Sequence, residues 1–141
     1  MLTIIESPFK PSDDDVEHYA GQYTYAELMR HNIQYARMLL ADALERGDAP
    51  FASHLLYTQV WSESVELRSA GIAAGLEWSH AAEQIVFGVD LGISSGMRAA
   101  RDNASLINVT TIDRCLFVDM KTDAVRAYLH ALTFQAFAAL T

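Results

Sequence analysis

Residues 85–98, Ile85-Val86-Phe87-Gly88-Val89-Asp90-Leu91-Gly92-Ile93-Ser94-Ser95-Gly96-Met97-Arg98, decide the fold. An apolar run stops at an aspartate, and a serine/glycine turn then leads into a helix over residues 95–104. Strand, turn and helix in that order are the unit from which parallel sheets are built. The turn at the carboxyl end of the strand is where such proteins hold a phosphate or a sugar. Yet the helix opens with Met97, Arg98, Ala99 and Ala100, and no carboxylate follows until Asp102. The stretch therefore reads either as an active site or as a binding pocket without its chemistry.

Working outward, Leu2 to Ile5 is a β-branched run closed by Ser7-Pro8 and predicts a buried first strand. Residues 10–23 form a polar acidic insertion, predicted as a mobile loop; Asp13, Asp14 and Asp15 there lack calcium-loop spacing and read as solvated. Thr24 with Glu27 is a capping box, followed by Leu28, Ile33, Ala36, Leu39, Leu40 and Leu44 at helical spacing, and Gly47 ends the helix. "APFASHLLY" reads as a second short strand running into a half-turn. Val65 to Ala82 predicts another helix, weakened by Gly71 and Gly75. "INVTTI" and "CLFVDM" are candidate strands. Thr122 to Leu140 is a closing amphipathic helix with Val125, Leu129, Leu132, Phe134, Phe137 and Leu140 on its apolar face. Strand and helix alternate, so residues 1–141 predict one α/β domain with a mainly parallel sheet and helices on both faces. That domain includes the acidic insertion at 10–23 and a strand/helix region over 105–141.

The chain has 141 residues, 51% apolar and 20% charged, which suits one globular core. A net charge of −8 argues against a broad nucleic-acid face. No segment has the length of a membrane span, and the N-terminus lacks a basic targeting region, so a cytoplasmic location is expected. Cys115 stands alone in an apolar run and is read as a small core residue. His31 and His80 have no second ligand at zinc spacing; no metal and no cofactor are expected.

Ligands of open α/β sheets sit beyond the carboxyl ends of the strands. Three such ends are placed by the sequence: Glu6-Ser7-Pro8-Phe9, Ser53-His54, and Asp90 through Gly96. His54 reads as a structural histidine or a base. Ser94-Ser95-Gly96 reads as a helix cap or an anion site. Tyr57, Trp61 and Trp78 are core aromatics or a stacking surface for a base. The serine-hydrolase elbow, the dinucleotide fingerprint and the phosphate loop of nucleotide hydrolases are missing from the sequence.

"IIESPF", Asn32 in "NIQYARMLLADALERG", "APFASHLLYTQ", "GIAAGLEW" and "VDLGISSGM", in that order over residues 3–98, resemble a small phage and prophage family of domains within the nucleoside 2-deoxyribosyltransferase-like superfamily. The resemblance implies a flavodoxin-like or Rossmann-like sheet whose pocket holds a nucleoside or its monophosphate. Ser7, Pro8 and Phe9, and likewise Ser94, Ser95 and Gly96, would lie near the sugar and phosphate. Active members attack the anomeric carbon with a glutamate after that turn, at the position of Arg98 or of Ala100 here. Neither is a carboxylate. Phe9 stands where many relatives have tyrosine, and the helper acid falls near Gly75, with Glu77 as neighbour.

The expected function is a binding protein for a nucleotide or nucleotide-derived signal, held by Ser7, Pro8, Phe9, His54, Asp90, Ser94, Ser95, Gly96, Met97 and Arg98. By analogy with phage proteins, that implies sequestering a host defence signal. One alternative is an N-glycosidase or deoxyribosyltransferase using a displaced acid, Glu77, Asp90 or Glu6. Another is a protein–protein inhibitor of a host factor, using the fold as scaffold. The partners expected are a nucleotide-like small molecule or a host protein, with no nucleic acid and no membrane. Phe134 and Phe137 further predict a homodimer or higher homo-oligomer.

Overall fold

A computed structural model describes the backbone of residues 1–59 and 65–140 and the side chains of 1–59 and 66–132. Four strands, β1 (Leu2–Glu6), β2 (Ala49–Phe51), β3 (Gln84–Gly88) and β4 (Thr110–Arg114), form an all-parallel sheet in the order β2-β1-β3-β4. Six helices accompany them among the described residues: α1 (Asp13–His18), α2 (Tyr25–Glu45), α3 (Ser53–Leu56), α4 (Val65–Ser79), α5 (Ser95–Leu106) and α6 (Thr122–Leu140). The chain is an α/β protein with helices on both faces of one parallel sheet, a Rossmann-like arrangement. None of the helices is long and apolar enough to cross a membrane among the residues described.

Period-two alternation divides the core. Ile5 and Val86 face α2 and α6, meeting Tyr35, Leu39, Val125 and Leu129. Ile4, Ile85 and Phe87 face the other way, onto Met97, Ala100 and Ala104 of α5. At the end of β3, a Cβ on Gly88 would collide with Leu39 and stand 2.8 Å from the Tyr35 hydroxyl, so α2 can cross there only over a glycine.

The capping box expected of Thr24 and Glu27 starts α2, with Glu27 N donating to Thr24 Oγ1 at 3.1 Å and Thr24 N to Glu27 Oε1 at 3.0 Å. The buried stripe of α2 is less apolar than expected, because His31, Asn32 and Tyr35 lie within it while Leu44 is exposed. Each of these polar groups is satisfied. Asn32 donates to the Phe9 carbonyl at 2.8 Å and accepts from Arg126 at 3.2 Å. His31 meets His130 at 3.0 Å.

Three expectations are corrected. The acidic insertion contains a helix, α1, rather than forming a mobile loop. Ser12 and Asp15 cap it reciprocally, and Tyr19, 3% exposed, donates to Asp123 of α6 at 2.7 Å. Residues 115–120 form no strand: the backbone turns, with Asp119 in the left-handed region at φ 64°, and two of its N–H groups bind a side chain instead of a ladder. Cys115 accordingly is exposed rather than part of the core. In α6, Val125 and Leu129 are buried and Leu132 is half-buried, whereas the side chains of Phe134, Phe137 and Leu140 lie outside the described residues, as does Trp61.

Candidate functional site

Strand order places the site. Connections leave β1 and β3 in opposite directions, and this reversal opens a crevice at the carboxyl edge of the sheet. A cleft of about 230 Å³ occupies it, lined by the end of β1, by α3, by one side of α4 and by the start of α5. That volume lies just below the ~300 Å³ at which ligand pockets usually begin.

From β1, alternation carries Glu6 to the same face as Ile4, toward α5 and into the cleft. Its carboxyl forms no hydrogen bond or ion pair with the described residues. Burial pushes its pKa up to about 7. Ser7 follows, 5% exposed, with its hydroxyl 3.0 Å from His54 Nε2. The Phe9 ring stands edge-on to the His54 ring, and Asn32 pins the Phe9 carbonyl from below. Burial lowers the His54 pKa to about 4, so the imidazole is neutral at physiological pH. Its Nδ1 is buried without a partner among the described residues.

Opposite these groups, Ser94 caps α5 in extended conformation and accepts from Met97 N at 3.2 Å. Ser95 and Gly96 border the cleft, and the first N–H groups of a helix have no partner within it. Such unpaired N–H groups, with the helix dipole, favour negative charge near a helix start. Lys10 and Arg68 also line the cleft, neither in an ion pair with a described carboxylate, and Phe9, Ile72, Leu76 and Met97 supply apolar surface. The arrangement joins a polar floor, with a neutral imidazole and a carboxyl whose pKa is raised toward neutrality, to a positive rim.

Of the residues singled out from the sequence, Ser7, Phe9, His54, Ser94, Ser95, Gly96 and Met97 come together around this cleft. Pro8 is buried beside it without lining it. Arg98 is exposed and outside it: Met97, Ala100 and Ala104 form the inward stripe of α5, and position 98 lies a hundred degrees round the helix from Met97. Ala100 does line the cleft. Glu77 is exposed on α4 and does not border it. At Gly75 a Cβ would stand 2.8 Å from Ser53 Oγ, so a longer side chain there has no room unless Ser53 moves.

Asp90 turns to the opposite face. Tyr35 donates its hydroxyl to Oδ2, Leu116 N donates at 2.9 Å, Phe117 N at 2.8 Å and the Cys115 thiol at 3.1 Å. Burial works to raise its pKa, but these hydrogen bonds outweigh it and hold the carboxyl below its usual value. Asp90 fastens the turn after β4 to α2. Sequence reasoning placed Ser53 at a strand end but passed over Lys10, Thr58 and Arg68, which line the cleft from the segment after β1, from the turn after α3 and from α4, and have no motif in common.

An open parallel sheet with a cleft across its strand reversal makes this an α/β protein of Rossmann-like architecture. Over residues 1–113 the chain matches a family described as a domain of unknown function (DUF7768), and it belongs to that family. Neither a curated protein nor a solved structure matches it. The matched region holds every residue of the cleft, whereas α6 and the turn bound by Asp90 lie beyond it.

Proposed function

We propose that the cleft binds a small phosphorylated molecule of the nucleoside monophosphate kind, without a carboxylate nucleophile to attack its sugar. The observation that carries this reading is the pairing within one cleft of the α5 amino end, Lys10 and Arg68 with a polar floor of Glu6, Ser7 and His54. An anion meets the former and a neutral sugar or base the latter. Ala100, at one of the two positions where the superfamily resemblance puts a glutamate, gives the cleft a methyl group instead. A soluble holder of a nucleotide signal is the corresponding role. A thermal-shift series with deoxynucleosides and their 5′-monophosphates tests it, since a ligand of the folded state raises the midpoint by mass action. The monophosphates should raise the midpoint more than the nucleosides. Lys10→Ala with Arg68→Ala should weaken them by ~1.5–3 kcal/mol, and Arg98→Ala should leave them unchanged. Equal shifts with and without the phosphate would sink the reading.

A second reading, hydrolysis of the ligand's N-glycosidic bond, is favoured by one observation: of the three acids considered from sequence, Glu6 alone lines the cleft. A carboxyl titrating near neutrality suits protonation of a leaving base. Free base released by the wild-type chain and lost in Glu6→Gln would establish this reading over simple binding.

A further inference from the structure

The cleft surrounds Glu6 with groups that do not answer it. Ser7 Oγ is engaged with His54 Nε2, and the Tyr57 hydroxyl accepts from Trp78 Nε1 at 2.8 Å. Lys10 and Arg68 are exposed at the rim, and the depression of the His54 pKa leaves that imidazole neutral. These are the titratable groups that share the cleft among the described residues. None supplies a charge that stabilises a carboxylate at Glu6: burial is the single cause acting on its pKa, and it favours the acid. A carboxylic acid has one O–H to donate, whereas a carboxylate only accepts. An unengaged acid in the same cleft as the α5 amino end therefore bears on which ligand atom fits next to it.

We propose that Glu6 is a specificity-determining residue of the cleft, donating its acid O–H to a ligand atom that is a pure acceptor, such as a phosphoryl, carbonyl or sugar ring oxygen. This rests on the small-molecule reading above. A ligand with an amino or cationic group at that place would require the carboxylate, and would be discriminated against by the unpaired setting. Loss of the proton sets two acceptors against each other, so ligand binding and protonation of Glu6 are linked. Ligand uptake is then accompanied by proton uptake on the alkaline side of neutrality.

The test is calorimetric titration of the full chain with 2′-deoxyadenosine 5′-monophosphate at pH 6 and pH 8, for wild type and Glu6→Gln. Glutamine keeps an N–H donor at both values. A group titrating near 7 is mostly protonated at pH 6 and about one-tenth protonated at pH 8, so the wild-type affinity should fall roughly tenfold more than that of the variant. Titration of the phosphate is common to both proteins and cancels in the comparison. At pH 8 the variant should bind more tightly than the wild type. Parallel pH dependences, or weaker binding by Glu6→Gln at pH 8, would overturn the donor role. If neither protein binds this nucleotide, the choice of ligand fails separately from the role of Glu6. Carbon-detected NMR of the side-chain carboxyls, assigned by difference against Glu6→Gln, then decides: titration near 7 upholds the neutral acid, and titration in the ordinary glutamate range refutes it.

Discussion

Glu6 and Asp90 leave the carboxyl ends of neighbouring strands on opposite faces of the sheet, and their surroundings are opposite too. Asp90 receives four donors, from Tyr35, Cys115, Leu116 and Phe117, which together keep it ionised despite burial. Glu6 receives none among the described residues, and burial alone acts on it. A buried charge saturated by protein donors has no capacity left for a ligand and serves the fold. A polar group left unengaged in a cleft is a cost to the fold, and it is retained where a ligand can use it. The contrast separates a carboxylate bound into the fold from one left open in the cleft, without reference to either residue's neighbours in sequence.

The contrast is broken most directly at Asp90. Asp90→Ala removes the acceptor for two buried backbone N–H groups and the Tyr35 hydroxyl, and should cost about 3 kcal/mol by urea unfolding at pH 7. Because its folded pKa is depressed, the stabilisation from Asp90 is present above the unfolded carboxylate pKa and fades as pH falls through the folded one. A loss under ~1 kcal/mol would return Asp90 to the list of ligand-facing residues.

The next effect has the opposite sign. The folded pKa of Glu6 is raised from 4.5 to about 7, so between those values the folded state binds more protons than the unfolded one. Wild-type stability due to this group therefore declines as pH rises through that window. Glu6→Gln should stabilise the chain by roughly 1–3 kcal/mol at pH 8 and hardly at all at pH 4, the upper figure being the full linkage value. Destabilisation at pH 8 would mean that the carboxylate has a partner in solution. The smallest effect belongs to Glu77, exposed on α4 and outside the cleft. Glu77→Gln should change stability by under ~0.5 kcal/mol and leave binding of the monophosphates as it was. A tenfold loss of affinity would require α4 to turn its outer face inward.

Much of the scaffold was legible. The β-branched run at Leu2–Ile5, the capping box at Thr24, and the strand–turn–helix around Ser94 each rest on contacts within a few residues, so their local patterns predict them. The Ser12–Asp15 cap carries an equally local signal, Ser-x-x-Asp, which the acidic composition of the insertion masked. "CLFVDM" misled for the reverse reason. Apolar content alone suggests a strand, whereas the partner of its backbone N–H groups is a side chain 26 and 27 residues earlier.

The sequence by itself determined the α/β class, the order of most elements and the serine/glycine turn that starts α5, because hydrophobic period and capping chemistry are local properties. Which carboxylate opens into the cleft was decided by tertiary structure alone. Asp90 and Glu6 look alike in one dimension, each following an apolar strand and preceding a turn. Only when β3 pairs with β1 and β4, and α2 crosses over Gly88, do Tyr35 and the 115–117 turn converge on Asp90, while Glu6 is turned onto the face of α5 with nothing to bind it. Hydrogen bonding and desolvation depend on neighbours in space, and it is these that fix the state of each acid.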